Sequence, residues 1–245
     1  MPQHDFRSPR LFVEAPLAPG AHVALDPAQS HYLGNVLRQA TGDRVLVFNG
    51  RDGEWSAVLT LLHRGATLAV EVRTRAQTAT ADLHYLFAPL KAARLDYMMQ
   101  KAVEMGASRL QPVLTRHGQV TRVNVARMRA NAIEAAQQCG ILALPGIGEP
   151  LPLAQLIATW DSRRRIIFCD ENAEVANPVD ALSGLVRGPL AVLIGPEGGF
   201  ADDERASLLK LPNVVPLSLG PRILRADTAA VAALALVQAV VGDWA

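Results

Sequence analysis

The rhythm of hydrophobic and polar residues changes about a third of the way along the chain. Up to residue 75, short runs rich in β-branched residues recur: LFVEA, HVAL, DRVLVFNG, EWSAVLTLL and TLAVEVRT. Gly, Pro or Asp separates them, which predicts strands. Arg51-Asp52-Gly53 lies between two of these runs and predicts a hairpin turn. One helix interrupts the strands. Asp26-Pro27 is a helix start, and His31, Leu33, Val36 and Leu37 follow near helical spacing. Residues 1–75 therefore read as a small β-barrel with one helix. Residues 74–82, TRAQTATAD, are small and polar without periodicity and read as a linker.

Beyond the linker, apolar strands alternate with helices. LHYLFAPL, RLQPVLT, RIIFCDE, LAVLIGP and VVPLSL are the strand candidates. LDYMMQKAVEMGA, VARMRANAIEAAQQCG, ADDERASLLKL and DTAAVAALALVQAVV are the helix candidates. This alternation predicts an α/β domain over 76–245, with a parallel sheet covered on both faces.

Composition narrows the picture. The chain has 245 residues, half of them hydrophobic and 5% aromatic. That length suits one large domain or two small ones. The scarcity of aromatics favours helices packed on a sheet over an aromatic-rich sandwich. A formal net charge of +1 means that any basic surface is a local patch. Cys139 and Cys169 are the only cysteines. They are too few for a disulfide framework or a structural zinc site, so no metal is expected and a reducing cytoplasm fits. The N-terminal stretch MPQHDFRSPRLFVE lacks the apolar core of a secretion signal. The longest apolar run, Ala229–Val241, is too short to span a bilayer. It reads as a buried helix that can pack against a partner subunit.

Two loops carry the candidate chemistry. The strand Leu190–Ile194 runs into Gly195-Pro196-Glu197-Gly198-Gly199, and a helix follows from about Ala201. Ligands of open α/β sheets bind at the carboxyl ends of strands, and glycine lets backbone approach them closely. Asp202, Asp203 and Glu204 suit the helix dipole but would repel a phosphate. The chain also lacks GxxxxGK[ST] and GxGxxG. The pattern therefore points to an adenosine-type ligand held by base and ribose. The second loop, Leu219–Thr228, again runs from a strand through Gly-Pro into a helix. Its Arg222, Arg225, Asp227 and Thr228 cluster together. Asp227 or Thr228 can cap the helix, whereas Arg225 has no evident structural task. Two such loops at consecutive strand ends would form one cleft.

LIGPEGGF followed by LGPRILRADTA resembles the RsmE family, the 16S ribosomal RNA uridine N3-methyltransferases of the SPOUT superfamily. PRLF (9–12), HYLGNVLR (31–38), DYMMQKAVEMGASRLQPV (96–113) and EAAQQCG (134–140) extend the resemblance over nearly the whole chain. It implies a PUA-like barrel over 1–75 and a methyltransferase domain over 76–245 with a deep C-terminal trefoil knot. It also implies a homodimer, S-adenosylmethionine as cofactor, and 16S rRNA or the 30S subunit as partner. Cofactor contacts would fall on Leu193, Gly195, Pro196, Glu197, Gly198, Gly199, Leu219, Gly220, Ile223, Leu224 and Thr228. The chain departs from the family pattern at Ile141, at Asp227, at Thr115-Arg116-His117 and at Ala92. A SPOUT enzyme acting on another RNA such as tRNA, or a non-catalytic RNA-binding assembly factor, are the alternatives.

Uridine N3 is a poor nucleophile while protonated, and its anion spreads onto the flanking carbonyls. Arg225 is the candidate to stabilise that anion, and Asp227 the candidate base or positioning group. Glu197 is a candidate for ribose or the cofactor's amino group, with a contact to loop amides as the equal alternative. No acidic residue lies between Glu104 and Glu134, while Arg109, Arg116, Arg122, Arg127 and Arg129 do. That run, with Arg10 and Arg38, is the expected RNA surface.

Overall fold

The computed structural model describes Asp5, residues 7–174 and residues 177–244. Residues 1–4 and 6 of the polar N-terminal stretch therefore lie outside the described residues. The chain divides into two compact units. One comprises the residues up to Ala79 together with Ile133–Leu144. The other comprises Thr80–Ala132 and the residues from Pro145 onward.

The first unit is a mixed sheet. Its strands are β1 (Arg10–Phe12), β2 (His22–Ala24), β3 (Arg44–Phe48), β4 (Glu54–Leu61) and β5 (Ala66–Arg75), with helix α1 (Pro27–His31) after β2. The order is β1-β3-β4-β5-β2, with β1 and β3 parallel and the other pairs antiparallel. Period-two side chains do what their pattern predicts: Val45 and Val47, Ala57 and Leu59, and Leu68 and Val70 meet in one core. Asp26 caps α1 through a box in which its carboxylate accepts the Gln29 N–H at 2.7 Å. The helix then widens into a π-helical turn, Tyr32–Val36. At the hairpin between β3 and β4, Asn49 Oδ1 accepts the N–H groups of Arg51 and Asp52. Gly53 there has φ +86°, and a Cβ would overlap the Arg75 carbonyl.

Arg10 corrects an expectation. It does not face solvent, and therefore RNA, but lies inside this unit with its side chain 3% exposed. Its Nε donates to Glu54 at 2.7 Å, and its terminal nitrogens donate to the carbonyls of Gln137 and Asp5. Arg75 donates to the same carboxylate and to the Gly140 carbonyl. Gln137 also accepts the Phe12 N–H at 2.8 Å. A buried and a partly buried arginine thus fasten Ile133–Leu144 to the strand sheet of its own unit.

The second unit is a parallel sheet with helices on both faces. Its strands are β6 (Leu83–Phe87), β7 (Arg109–Leu114), β8 (Gly146–Ile147), β9 (Leu151–Pro152), β10 (Arg165–Cys169), β11 (Leu190–Ile194) and β12 (Val214–Leu217). Its helices are α2 (Ala92–Glu104), α3 (Val125–Cys139, whose last turns belong to the first unit), α4 (Leu153–Ala158), α5 (Pro178–Ser183), α6 (Asp202–Leu209) and α7 (Ala226–Val240). The strand order is β12-β10-β11-β6-β7-β8, with β9 pairing β7. Leu86, Phe168, Leu193 and Leu208 share the core on one face. On the other face, Tyr85 reaches Met98 of α2, and α2 packs on α7. The helices α4 and α5 and the two-residue strands are absent from the elements expected above. Each is six residues or fewer, too short for a periodic signal.

Candidate active site

A cleft of about 480 Å³ opens at the carboxyl ends of β10, β11 and β12. The chain moves from β6 outward to β7, then returns to lay β10, β11 and β12 on the other side. Strand ends flanking such a reversal leave a crevice. The loops after β11 and β12 do share this cleft, but not because their strands adjoin: β10 lies between them. Its end, from Cys169 to Glu174, forms a third wall. The sequence offers no glycine signal there, only a strand running into Asp170-Glu171.

Eight of the expected cofactor residues line the cleft: Gly195, Pro196, Glu197, Gly199, Leu219, Gly220, Ile223 and Leu224. Three do not. Leu193 is fully buried and packs on the opposite side of its strand, because period-two alternation sends its neighbour Ile194 to the cleft instead. Gly198 turns its carbonyl to His117 Nδ1 at 3.2 Å. Thr228 is exposed on the first turn of α7, with its N–H on Asp227 at 2.9 Å. At Gly195 a Cβ would stand 2.5 Å from the Phe200 ring, so a larger residue there would displace that ring. Gly199 and Gly220 take φ +68° and +100°.

The first loop is braced from outside the cleft. Arg94 of α2 donates to Glu197 at 2.9 Å, so Glu197 pairs with a guanidinium rather than with loop amides. Arg116 donates to Asp203 at 2.6 Å, and its backbone N–H to Glu204 at 2.9 Å. Glu204 also accepts the Ala201 N–H at 3.0 Å, closing the start of α6. Cys169 sits in the cleft wall, and burial pushes its thiol up to about 12.

The expected catalytic pair stands beside the cleft, not in its lining. Arg225 is exposed at the N-cap of α7, between the lining residues Leu224 and Ala226. No side chain caps this helix. Asp227 lies in its first turn, where its charge meets the helix dipole.

The basic run is less free than its sequence suggests. Arg116 is paired as described, and Arg127 is bound by Asp96 of α2. Arg109 begins β7, at the amino ends of the strands and so at the pole away from the cleft, with Gln111 as partner. Arg122 is exposed and has no partner among the described residues. In the first unit Arg38 is exposed with φ 55°, the one non-glycine residue with positive φ among the described residues. Backbone strain of this kind costs about 1–3 kcal/mol and concentrates at functional positions.

A family model described as an RNA methyltransferase domain matches residues 77–238, two-thirds of the chain. A model described as an RNA methyltransferase PUA domain matches 25–70. The ribosomal RNA small subunit methyltransferase E of Synechocystis is 31% identical, over 90% of this chain and 74% of its own. The chain belongs to that methyltransferase family. The Rickettsia conorii member is 28% identical over 94% of both chains. Among solved structures, the Neisseria gonorrhoeae family member bound to S-adenosyl methionine is 25% identical, with a TM-score of 0.84. The match covers 98% of this chain and 100% of that one. A Legionella pneumophila methyltransferase solved with the bound cofactor SAM is 27% identical over 95% and 98%, with a TM-score of 0.83. Membership accounts for the architecture: a barrel-like unit matching the PUA model and a parallel α/β unit matching the methyltransferase model.

Proposed function

We propose that this RNA methyltransferase uses S-adenosylmethionine to methylate N3 of one uridine in the decoding region of 16S ribosomal RNA, acting in the cytoplasm as a homodimer. The cleft carries the reading. Two glycine-proline loops meet there, in a chain whose structural relatives were solved holding S-adenosylmethionine. Its size falls in the range of small-molecule sites. One wall is apolar and suits a purine; the other is polar and suits a charged tail. The knot implied by the resemblance, and the division at residue 75 into an RNA-binding barrel and a catalytic domain, belong to the same proposal. The outward side of α7 supports the dimer, since Val231, Ala232, Ala235 and Leu236 are apolar and only half-buried.

Bound in the cleft, S-adenosylmethionine supplies a methyl group carried on a sulfonium. The chain's own tasks are alignment and charge control. Asp227 accepts the N3 proton, and Arg225 stabilises the charge that then spreads over the uracil carbonyls. Arg38, Arg116 and Arg122 take RNA phosphates, with Arg116 exchanging Asp203 for a phosphate. No cluster of metal-binding side chains occurs among the described residues.

The test is transfer of labelled methyl to 30S particles, naked 16S rRNA and tRNA. The expected product is one N3-methyluridine in 16S rRNA, with Arg225→Ala slowing turnover about a hundredfold. Label appearing only in tRNA would move the target, as the departures at Ile141 and Asp227 allow. An undiminished Arg225→Ala would remove the catalytic assignment.

A further inference from the structure

The charged side chains on the polar wall of the cleft have no part in the reaction described above. Of the charged residues lining the cleft, Glu197 is engaged by Arg94, and Glu174 and Arg222 are exposed on the rim. Asp170 and Arg205 differ from these. Asp170 directly follows β10, with its side chain 4% exposed. Its Oδ2 accepts both Nε and a terminal nitrogen of Arg205, at 2.9 and 2.8 Å, while Oδ1 accepts the Asn172 N–H at 3.1 Å. A buried carboxylate so occupied holds Arg205 in one orientation, with a third of its side chain open. Glu171, the next residue along, also lines the cleft. Its Oε1 lies 3.2 Å from where a Gly199 Cβ would stand, so it reaches across to the first glycine loop. It has no ionic partner among the described residues.

A fixed cation and an unpaired carboxylate lining one cleft complement a zwitterion. Resting on the reading of this cleft as the S-adenosylmethionine site, we propose that Arg205 and Glu171 receive the amino-acid end of the cofactor. Arg205 takes its carboxylate and Glu171 its ammonium. Asp170 is the positioning residue that orients Arg205. The apolar wall of Leu217, Leu224, Ala226 and Ala229 is left for the base.

Calorimetry with three probes tests this: S-adenosylmethionine, S-adenosylhomocysteine, and 5′-methylthioadenosine, which lacks the amino-acid end. Arg205→Met is expected to weaken the first two at least tenfold and the third less than twofold. Glu171→Gln should follow the same pattern with a loss of a few-fold. Arg205→Lys should recover part of the loss, because it restores charge without the planar fork. Retained methylthioadenosine binding shows that the variants are folded around an intact cleft. Equal weakening of all three probes by Arg205→Met, or unchanged S-adenosylmethionine binding, overturns the proposal. Failure of the wild-type protein to bind any of the three overturns the cofactor reading itself, and is distinguishable from either.

Discussion

Arg10 and Arg116 look alike in the sequence, each a lone arginine next to an apolar strand, yet they meet opposite fates. Arg10 is buried on Glu54 with a second arginine, Arg75, on the same carboxylate. Arg116 is 61% exposed on a surface acid. Breaking a buried pair strands a charge, whereas breaking an exposed one costs little. Because Arg75 stays on Glu54, Arg10→Ala is expected to destabilise the first unit by about 1–3 kcal/mol in urea melts, the cost of buried acceptors losing a charged donor, and Arg116→Ala by less than about 1 kcal/mol. Burial raises the Glu54 carboxyl, but hydrogen bonds from Arg75, Arg10 and Thr74 outweigh it and leave the group below its ordinary 4.5. A carboxylate depressed on folding contributes stability that is complete above its unfolded value and lost as pH falls through the folded one. Melts taken between pH 6 and pH 3 should show a loss that Glu54→Gln, already destabilised, shows less steeply. Gly53→Ala should cost at least about 1–3 kcal/mol, because it forces a side chain into a positive-φ position against the Arg75 carbonyl. Its melting midpoint would read this directly, and an unchanged midpoint would contradict the close approach.

Elements long enough to repeat a period were legible. The alternating β4 and β5, the capped start at Asp26, and the long helices α2, α3 and α7 all fall where apolar spacing puts them. Alternation also explains why Leu193 lies off the cleft lining: the loop motif marks the strand end, and the pleat decides which of Leu193 and Ile194 faces the cleft. The wall at Cys169–Glu174 was not legible, since nothing local says that β10 inserts between β11 and β12. That wall makes a chemical prediction. Cys139 is exposed, whereas the Cys169 thiol is pushed up to about 12 and carries almost no thiolate at pH 8. Cys169 is half-buried in the cleft wall, so iodoacetamide at that pH should modify Cys139 in the native protein much faster than Cys169. Equal rates for the two, read by peptide mass mapping, would contradict the raised Cys169 thiol.

At the scale of the whole molecule, the units do not follow the chain. Ile133–Leu144 lies after the linker yet belongs with the N-terminal strands, held by the Gln137 and Gly140 carbonyls. A fragment beginning at residue 80 would carry this segment without the sheet that satisfies it. It would leave the Gln137 and Gly140 carbonyls without the Arg10 and Arg75 donors that they meet in the full chain. Such a fragment is expected to aggregate in size-exclusion chromatography where the full chain does not; a stable monodisperse fragment would show that the segment needs no partner. The sequence by itself determined the two fold classes, the long elements, the two glycine loops and, through their ordered motifs, the family. These are carried by local periodicity, turn chemistry and spacing. Tertiary structure alone decided which arginine is buried, which strand stands between the loops, and which unit keeps the end of α3. Each of these depends on partners 25 to 127 residues away in the chain, as for Arg165 beside Leu190 and Arg10 with Gln137. Local pattern carries no record of contacts at that separation.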